Sequence, residues 1–71
     1  MEKDLVKTLV KINIIDLIAS DLKLSISEAR DRFFNSKLDI LIDDDETGYY
    51  GDSPVYLYYL YKKEFEKKKN A

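Results

Sequence analysis

The stretch from Lys3 to Leu22 contains neither proline nor glycine and consists mostly of good helix formers, which predicts a first helix over 3–22. Its apolar residues change sides of the helical wheel near Ile12. One side carries Leu5, Val6, Leu9 and Val10, and the nearly opposite side carries Ile14, Ile15, Leu17, Ile18 and Leu22. Such a helix is either covered on both sides by its own chain or leaves one side for an oligomer. A strand through Val10, Ile12 and Ile14 is a weaker alternative, because the alternation fails at Ile15.

Two further helices have recognisable first residues. Ser25 and Glu28 have the spacing of a capping box, which predicts a second helix over 26–35. Ser53 followed by Pro54 predicts a third main helix over 54–67, because serine caps a helix and proline suits its first position. The apolar stripe of the second helix consists of Ile26, Ala29 and Phe33, with Phe34 on its flank. The inner side of the third main helix consists of Leu57, Leu60, Tyr61 and Phe65.

The segment between these helices is open to two interpretations. Ser36 with Asp39 predicts a short capped helix near 37–42, with Leu38, Leu41 and Ile42 as its apolar residues. A strand from Leu38 to Ile42 is the alternative, although it has no obvious partner strand. The acidic run at 43–46 and Gly48 then end the element, since glycine accepts a positive φ.

These elements predict an all-α fold: a small bundle of three main helices and one short helix, in a single domain over 1–66 with a frayed basic tail over 67–71. A chain of 71 residues buries a limited core, and this one has no cysteine or histidine for a disulfide or a zinc site. Self-association is the remaining way to add stability.

The same composition argues against enzymatic chemistry. Without cysteine and histidine there is no thiolate nucleophile and no imidazole base, and acids on loops and helix exteriors keep ordinary pKa values. Gly48 and Gly51 do not form a phosphate-binding loop. We expect no enzyme activity, cofactor or small-molecule substrate. Because no signal peptide or membrane span is recognisable, we also expect a cytoplasmic protein.

The acidic loop resembles part of a calcium site. Asp43, Asp45 and Thr47 occupy the first, third and fifth positions of a possible EF-hand loop, and Gly48 the sixth. The twelfth position, which should be a glutamate, is Pro54. A solvated turn is the favoured interpretation of 43–48, and a weak calcium site is the alternative.

Charge is unevenly distributed along the chain. Residues 1–37 sum to +1, residues 38–61 to −6 and residues 62–71 to +3. A helix-turn-helix with Arg30, Arg32 and Lys37 near its second helix is an alternative, but the neighbouring acids would repel a phosphate backbone, so nucleic acid is not the expected partner. The acidic segment 39–52 and the lysine tail offer instead a second mode of contact between proteins.

Tyrosines are concentrated in the third main helix, at positions 56, 58, 59 and 61. A helix turns about 100° per residue, so these four side chains cannot all face one core. Tyr59 lies on the outer side, Tyr56 and Tyr58 lie on opposite flanks, and Tyr61 belongs to the inner side. Tyrosine is enriched at binding hot spots, so we expect Tyr59, with Tyr56, Tyr58, Tyr49 and Tyr50, to bind a protein partner. Homodimerisation is the first form of that hypothesis.

Several caps, turns and core residues resemble those of a known family. The matching residues are Ser25, Glu28, Ala29, Phe33, Phe34, Asn35 and Ser36, then Thr47, Gly48 and Tyr49 or Tyr50, and finally Ser53, Pro54 and Tyr56. Together they resemble a family of short helical bacterial proteins, common in Firmicutes, that are described as domains of unknown function. Some members are encoded beside genes resembling ADP-ribosyltransferase-type toxins. The resemblance therefore implies a partner-binding or antitoxin-like role with a neighbouring-gene product; the lysine tail and the many tyrosines depart from the family pattern.

Overall fold

In the computed structural model, which describes residues 2–65, the protein is all-α. The helices are α1 (Glu2–Leu22), α2 (Ile26–Phe34), α3 (Lys37–Asp43) and α4 (Pro54–Leu60), with a 3₁₀ turn at Tyr49–Gly51 and a π-helical turn at Tyr61–Phe65 after α4. The predicted all-α bundle is confirmed, and the alternative strand at 38–42 is wrong, since that segment forms α3. The predicted end of the last helix at 67, the tail 67–71 and the side chain of Phe65 lie outside what the structure describes.

The end of α1 depends on a left-handed residue. Lys23 has a φ of 57°, and the amide of Leu24 donates a hydrogen bond of 2.9 Å to the carbonyl of Ala19. This six-to-one bond is that of a Schellman motif, which satisfies a carbonyl that the helix itself leaves without a donor. The chain thereby turns back towards α1 and starts α2 at once.

Serines define the starts of α2 and α4. The Ser25 hydroxyl accepts from the Glu28 amide at 3.1 Å, and the Glu28 carboxylate accepts from the Ser25 amide at 3.4 Å, so the predicted capping box is present. At α4 the Ser53 hydroxyl accepts from the Tyr56 amide at 3.1 Å, with Pro54 as the first helical residue. Both helices begin where the sequence predicted.

The predicted cap of α3 is wrong in its mechanism. Ser36 precedes the helix, but its hydroxyl makes no capping bond and instead donates backwards to the Phe33 carbonyl at 2.7 Å. The Ser36 side chain is buried, so its hydroxyl needs a partner, and the open end of α2 supplies a carbonyl. Ser36 is therefore the residue that precedes α3, as predicted, but its side chain stabilises the end of α2. After α3, Gly48 takes the expected positive φ, at 70°.

The hydrophobic core is built around α1, which contacts α2, α3, α4 and the 3₁₀ turn. Its side chains interlock with those of every other helix, which is how a short chain closes one core. The buried residues are Val10, Ile14, Ile15 and Ile18 of α1, Ala29 and Phe33 of α2, Leu38 and Ile42 of α3, and Leu57, Tyr58 and Tyr61 of the last segment.

Among the helices described, none combines the length and the apolar character that crossing a membrane requires.

Candidate interaction surfaces

The outer side of α4 carries three apolar or aromatic side chains that no described element covers. Val55, Tyr56 and Tyr59 each expose half of their surface or more, and Tyr59 exposes 52%. They are spaced by one, three and four residues, so they form one surface on the helix, here called the tyrosine face. The ammonium of Lys63 lies 5.4 Å from the centre of the Tyr59 ring, which is a cation–π contact. The side chain that the helical wheel placed outside is therefore outside.

Tyr58 does not belong to this face. Only 8% of its surface is exposed, and its ring stacks on that of Tyr61 with 6.1 Å between ring centres. Its hydroxyl donates a hydrogen bond of 2.5 Å to the carboxylate of Asp21 near the end of α1. The predicted flank position of Tyr58 is wrong, because α4 lies against α1 and turns that flank inward.

Asp21 joins the two helices electrostatically. The Tyr58 hydroxyl, and then the ammonium of Lys62 at 3.4 Å, hold the pKa of the Asp21 carboxylate below its ordinary value. A carboxylate that accepts a hydrogen bond is stabilised in its charged form. This arrangement positions α4 on α1, and with it the direction in which the tyrosine face points.

Tyr49 and Tyr50 are also placed differently from the outer surface predicted for them. Both are half-buried and pack against the core from the 3₁₀ turn, whose contacts run to α1 and α3. The Lys7 ammonium lies 5.4 Å from the centre of the Tyr50 ring. Of the five tyrosines predicted to bind a partner, Tyr56 and Tyr59 thus share one exposed surface, whereas these two serve the packing of the acidic loop.

The first half of α1 leaves an apolar surface exposed. Leu5, Leu9 and Ile12 each expose between 48 and 61% of their surface, and the neighbouring Val6 exposes 40%. The spacing of the first three, i, i+4 and i+7, aligns them along one side of the helix, here called the α1 stripe. The chain covers the apolar side formed by the second half of α1, and it leaves most of the apolar side formed by the first half exposed.

A groove of about 460 Å³ adjoins the α1 stripe at Ile12 and runs between α1 and α2. Ile26 and Phe34 form its α2 side, and each exposes about half of its surface. Ile26 was predicted to be buried with Ala29 and Phe33. It is the first residue of α2, and 49% of its surface is exposed. Charged groups also line the groove: Lys11 and Asp16 from α1, and Arg30 from α2.

The acidic segment is paired with lysines of the same chain. Lys3, Lys7 and Lys11 follow one another at intervals of four residues along α1, and they meet acids of α3 and the following loop. The Nζ to carboxylate oxygen distances are 3.5 Å for Lys3–Asp45, 2.6 Å for Lys7–Asp45, and 2.8 Å for both Lys11–Asp39 and Lys11–Asp43. We call this set the lysine ladder. Three of the acids that were expected to meet the lysine tail of another molecule thus have partners on α1.

The ladder changes the acidity of its members. A hydrogen bond with Asp45 raises the pKa of Lys7, and the same bond lowers the pKa of Asp45. For Lys11, burial works to lower the pKa, but the close contacts with Asp39 and Asp43 outweigh it and the pKa is raised. All three groups are therefore held in their charged forms by the fold.

In the loop proposed as a weak calcium site, the side-chain oxygens of the candidate ligands have partners within the chain. The Thr47 hydroxyl donates to the Leu41 carbonyl at 2.7 Å and accepts from the Tyr49 amide at 3.2 Å. Asp43 and Asp45 bind the lysines of α1. Over residues 2–65 the structure contains no group of three acids placed to hold a metal ion.

The basic residues proposed to meet DNA do not form a continuous basic surface. Arg30 lies in the groove beside Asp16, and α2 carries Glu28 and Asp31 among its arginines. The lysines of the first half of α1, which would have extended a basic region, are directed to acids of α3 and of the loop after it.

Sequence reasoning missed the exposed groove and the lysine ladder. Both had a signal: Leu5, Leu9 and Ile12 share one helical side, and Lys3, Lys7 and Lys11 share another. What the sequence lacked was the position of α2 and α3 relative to those sides.

Comparison with known proteins returned no match: no protein-family model matches the chain, and no curated protein or solved structure does either.

Proposed function

We propose that this protein is a non-enzymatic protein–protein interaction module. The observation that carries the proposal is the tyrosine face, where Val55, Tyr56 and Tyr59 expose half of their surface or more on one side of α4. Burying such side chains against a partner stabilises a complex, because each loses contact with water and tyrosine has few rotatable bonds to fix.

The surroundings of the face indicate the chemistry of its partner. Lys63, in the turn after α4, is exposed, and its ammonium lies over the Tyr59 ring. A partner with an apolar centre and acidic groups at its edge would complement this surface, since opposite charges at a rim raise the rate of association. The resemblance to the bacterial family favours an antitoxin-like role in which that partner is the product of a neighbouring gene.

The first test is capture of the partner from the source organism with a Tyr59→Ala variant. Tyr59 exposes 52% of its surface and is not part of the core, so we expect an unchanged helical circular dichroism spectrum. We expect the interaction with the protein that the wild type binds to be at least roughly fivefold weaker. Asp31→Ala is the matched control, because Asp31 is exposed on α2 away from the tyrosine face.

If wild type, Asp31→Ala and Tyr59→Ala all bind the same protein with equal affinity, the tyrosine face is not the binding surface and the proposal is contradicted. Unfolding of Tyr59→Ala would show that the tyrosine is structural and would contradict it as well.

A further inference from the structure

We infer that a second copy of this chain binds to the groove between α1 and α2, with the α1 stripe of each copy lying in the groove of the other. This inference goes beyond the interaction function proposed above, because it names a self-partner on a different surface. It depends on Leu9, Ile12 and Phe34 rather than on the tyrosine face.

The chain carries both halves of a helix-in-groove contact. Leu5, Leu9 and Ile12 have the i, i+4, i+7 spacing by which an amphipathic helix places its anchors in an apolar groove. The groove beside them is lined by Ile12, Ile26 and Phe34. In a dimer with a two-fold axis, the stripe of the first copy contacts the groove of the second, and the stripe of the second contacts the groove of the first.

The available area is sufficient for a dimer. Leu5, Val6, Leu9 and Ile12 with the two α2 residues of the groove each expose between 40 and 61% of their surface. Together they amount to roughly 500 Å² of apolar area, at the upper end of the about 300 to 600 Å² found for the largest patch on a monomer. Two copies would bury about twice this area plus its polar edge, which exceeds the roughly 1,000 Å² that a specific interface requires.

The charges in the groove favour a copy of the same surface. Lys11, Asp16 and Arg30 line the groove, and Lys11 is already paired with Asp39 and Asp43 of its own chain. Asp16 on the α1 side and Arg30 on the α2 side are both exposed. This acid and this base can complement their counterparts across a two-fold axis, whereas a strongly charged partner would meet one group of like charge. An isologous interface is therefore the best fit to this surface.

Sedimentation velocity across a range of protein concentrations tests the inference. We expect the wild type to pass from monomer to dimer, and Leu9→Glu and Phe34→Glu each to raise the dimer dissociation constant at least about tenfold. Ile40→Glu is the matched control: Ile40 exposes 66% of its surface on α3, outside the stripe and the groove, and its replacement leaves the dimer intact. Circular dichroism verifies that each variant is folded.

A mixture of the two variants tests the reciprocal geometry. In a heterodimer of Leu9→Glu with Phe34→Glu, one of the two stripe-to-groove contacts has both wild-type sides, so we expect more dimer in the mixture than in either variant alone. A mixture with no more dimer than its components overturns the reciprocal contact. A wild type that remains monomeric at high micromolar concentration overturns the self-partner altogether.

The tyrosine-face variant separates this inference from the proposed function. Tyr59→Ala should leave the dimer unchanged, and Leu9→Glu should leave capture at the tyrosine face unchanged. Loss of dimerisation in Tyr59→Ala would assign self-association to the tyrosine face and contradict the inference.

Discussion

At the scale of single residues, Lys23 holds an unusual backbone conformation. It is the only residue other than glycine with a positive φ among residues 2–65. A side chain costs about 1 to 2 kcal/mol in the left-handed region, whereas glycine enters it freely. The chain accepts that cost because the turn from α1 to α2 requires the conformation.

Lys23→Gly should therefore stabilise the domain. Relief of the left-handed conformation exceeds the roughly 0.5 to 1 kcal/mol that glycine adds to the entropy of the unfolded chain, so we expect a net gain of about 0.5 to 1 kcal/mol. Urea unfolding measures it, with Lys23→Ala as the control that keeps the left-handed strain. Equal stabilities of the glycine and alanine variants would show that Lys23 carries no strain.

Phe33 and Phe34 are adjacent in sequence and differ in burial. The Phe33 side chain is fully buried, whereas Phe34 exposes 48% of its surface and lines the groove. Their rings meet edge to face, with 5.4 Å between centres. One phenylalanine thus belongs to the core and the other to a surface.

We expect Phe33→Ala to lower the free energy of unfolding by about 3 kcal/mol or more, because a buried phenylalanine leaves a cavity. A domain of this size has a total stability of only about 4 to 10 kcal/mol, so the variant loses a large fraction of it. Phe34→Ala, measured at low protein concentration, should cost less than about 1.5 kcal/mol. Similar losses for the two variants in urea unfolding would contradict the burial described here.

At the scale of secondary-structure elements, α1 has three different sides. One side supplies the core through Ile14 and Ile18, a second carries the lysine ladder, and the third is the α1 stripe. The wheel alone left open whether both apolar sides are covered by the chain. In the fold, the apolar side formed by the second half of α1 is covered, because α2 and α4 both pack against α1.

The lysine ladder and the Asp21 carboxylate together predict how stability depends on pH. Asp21 and Asp45 have lowered pKa values in the fold, so their contribution is present above their ordinary value of about 3.9 and is lost as the pH falls through the lower folded value. Lys7 and Lys11 have raised pKa values, so their contribution is present below about 10.4 and is lost as the pH rises through the higher folded value. The sequence has no histidine to titrate in between.

We therefore expect a plateau of stability from about pH 5 to pH 9, with losses on both sides. Thermal unfolding at a series of pH values measures this profile. Lys7→Met should flatten the alkaline loss, because the ammonium that binds Asp45 is absent. Lys23→Met, which removes a lysine outside the ladder, should leave it unchanged. An alkaline limb that is the same in wild type and Lys7→Met would assign the loss to other groups.

At the scale of the whole molecule, the helices and their order were predictable from the sequence. The capping box at Ser25, the Ser53-Pro54 pair and the glycine at position 48 are local signals, and each acts within a few residues of where it stands. For that reason the predicted starts of α2 and α4 agree with the structure. Ser36 shows the limit of such signals, since its side chain is buried and its hydroxyl bonds the Phe33 carbonyl behind it, with no capping bond to α3.

The surfaces were predictable only in part. The wheel placed Tyr59 outside correctly because that side of α4 is opposite to Leu57 and Tyr61, which are buried. The same wheel could not place Tyr58, whose position depends on Asp21, 37 residues earlier in the chain.

The sequence by itself determined that this protein is helical, where its helices begin, and that its chemistry excludes thiol and imidazole groups. These properties follow from local conformational preference and from composition. Only the tertiary structure decided which side of α1 stays exposed, which tyrosines reach the surface and which lysines meet the acidic segment. Those outcomes depend on contacts between residues some 30 to 40 positions apart, and such contacts arise from the packing of whole helices rather than from any local pattern.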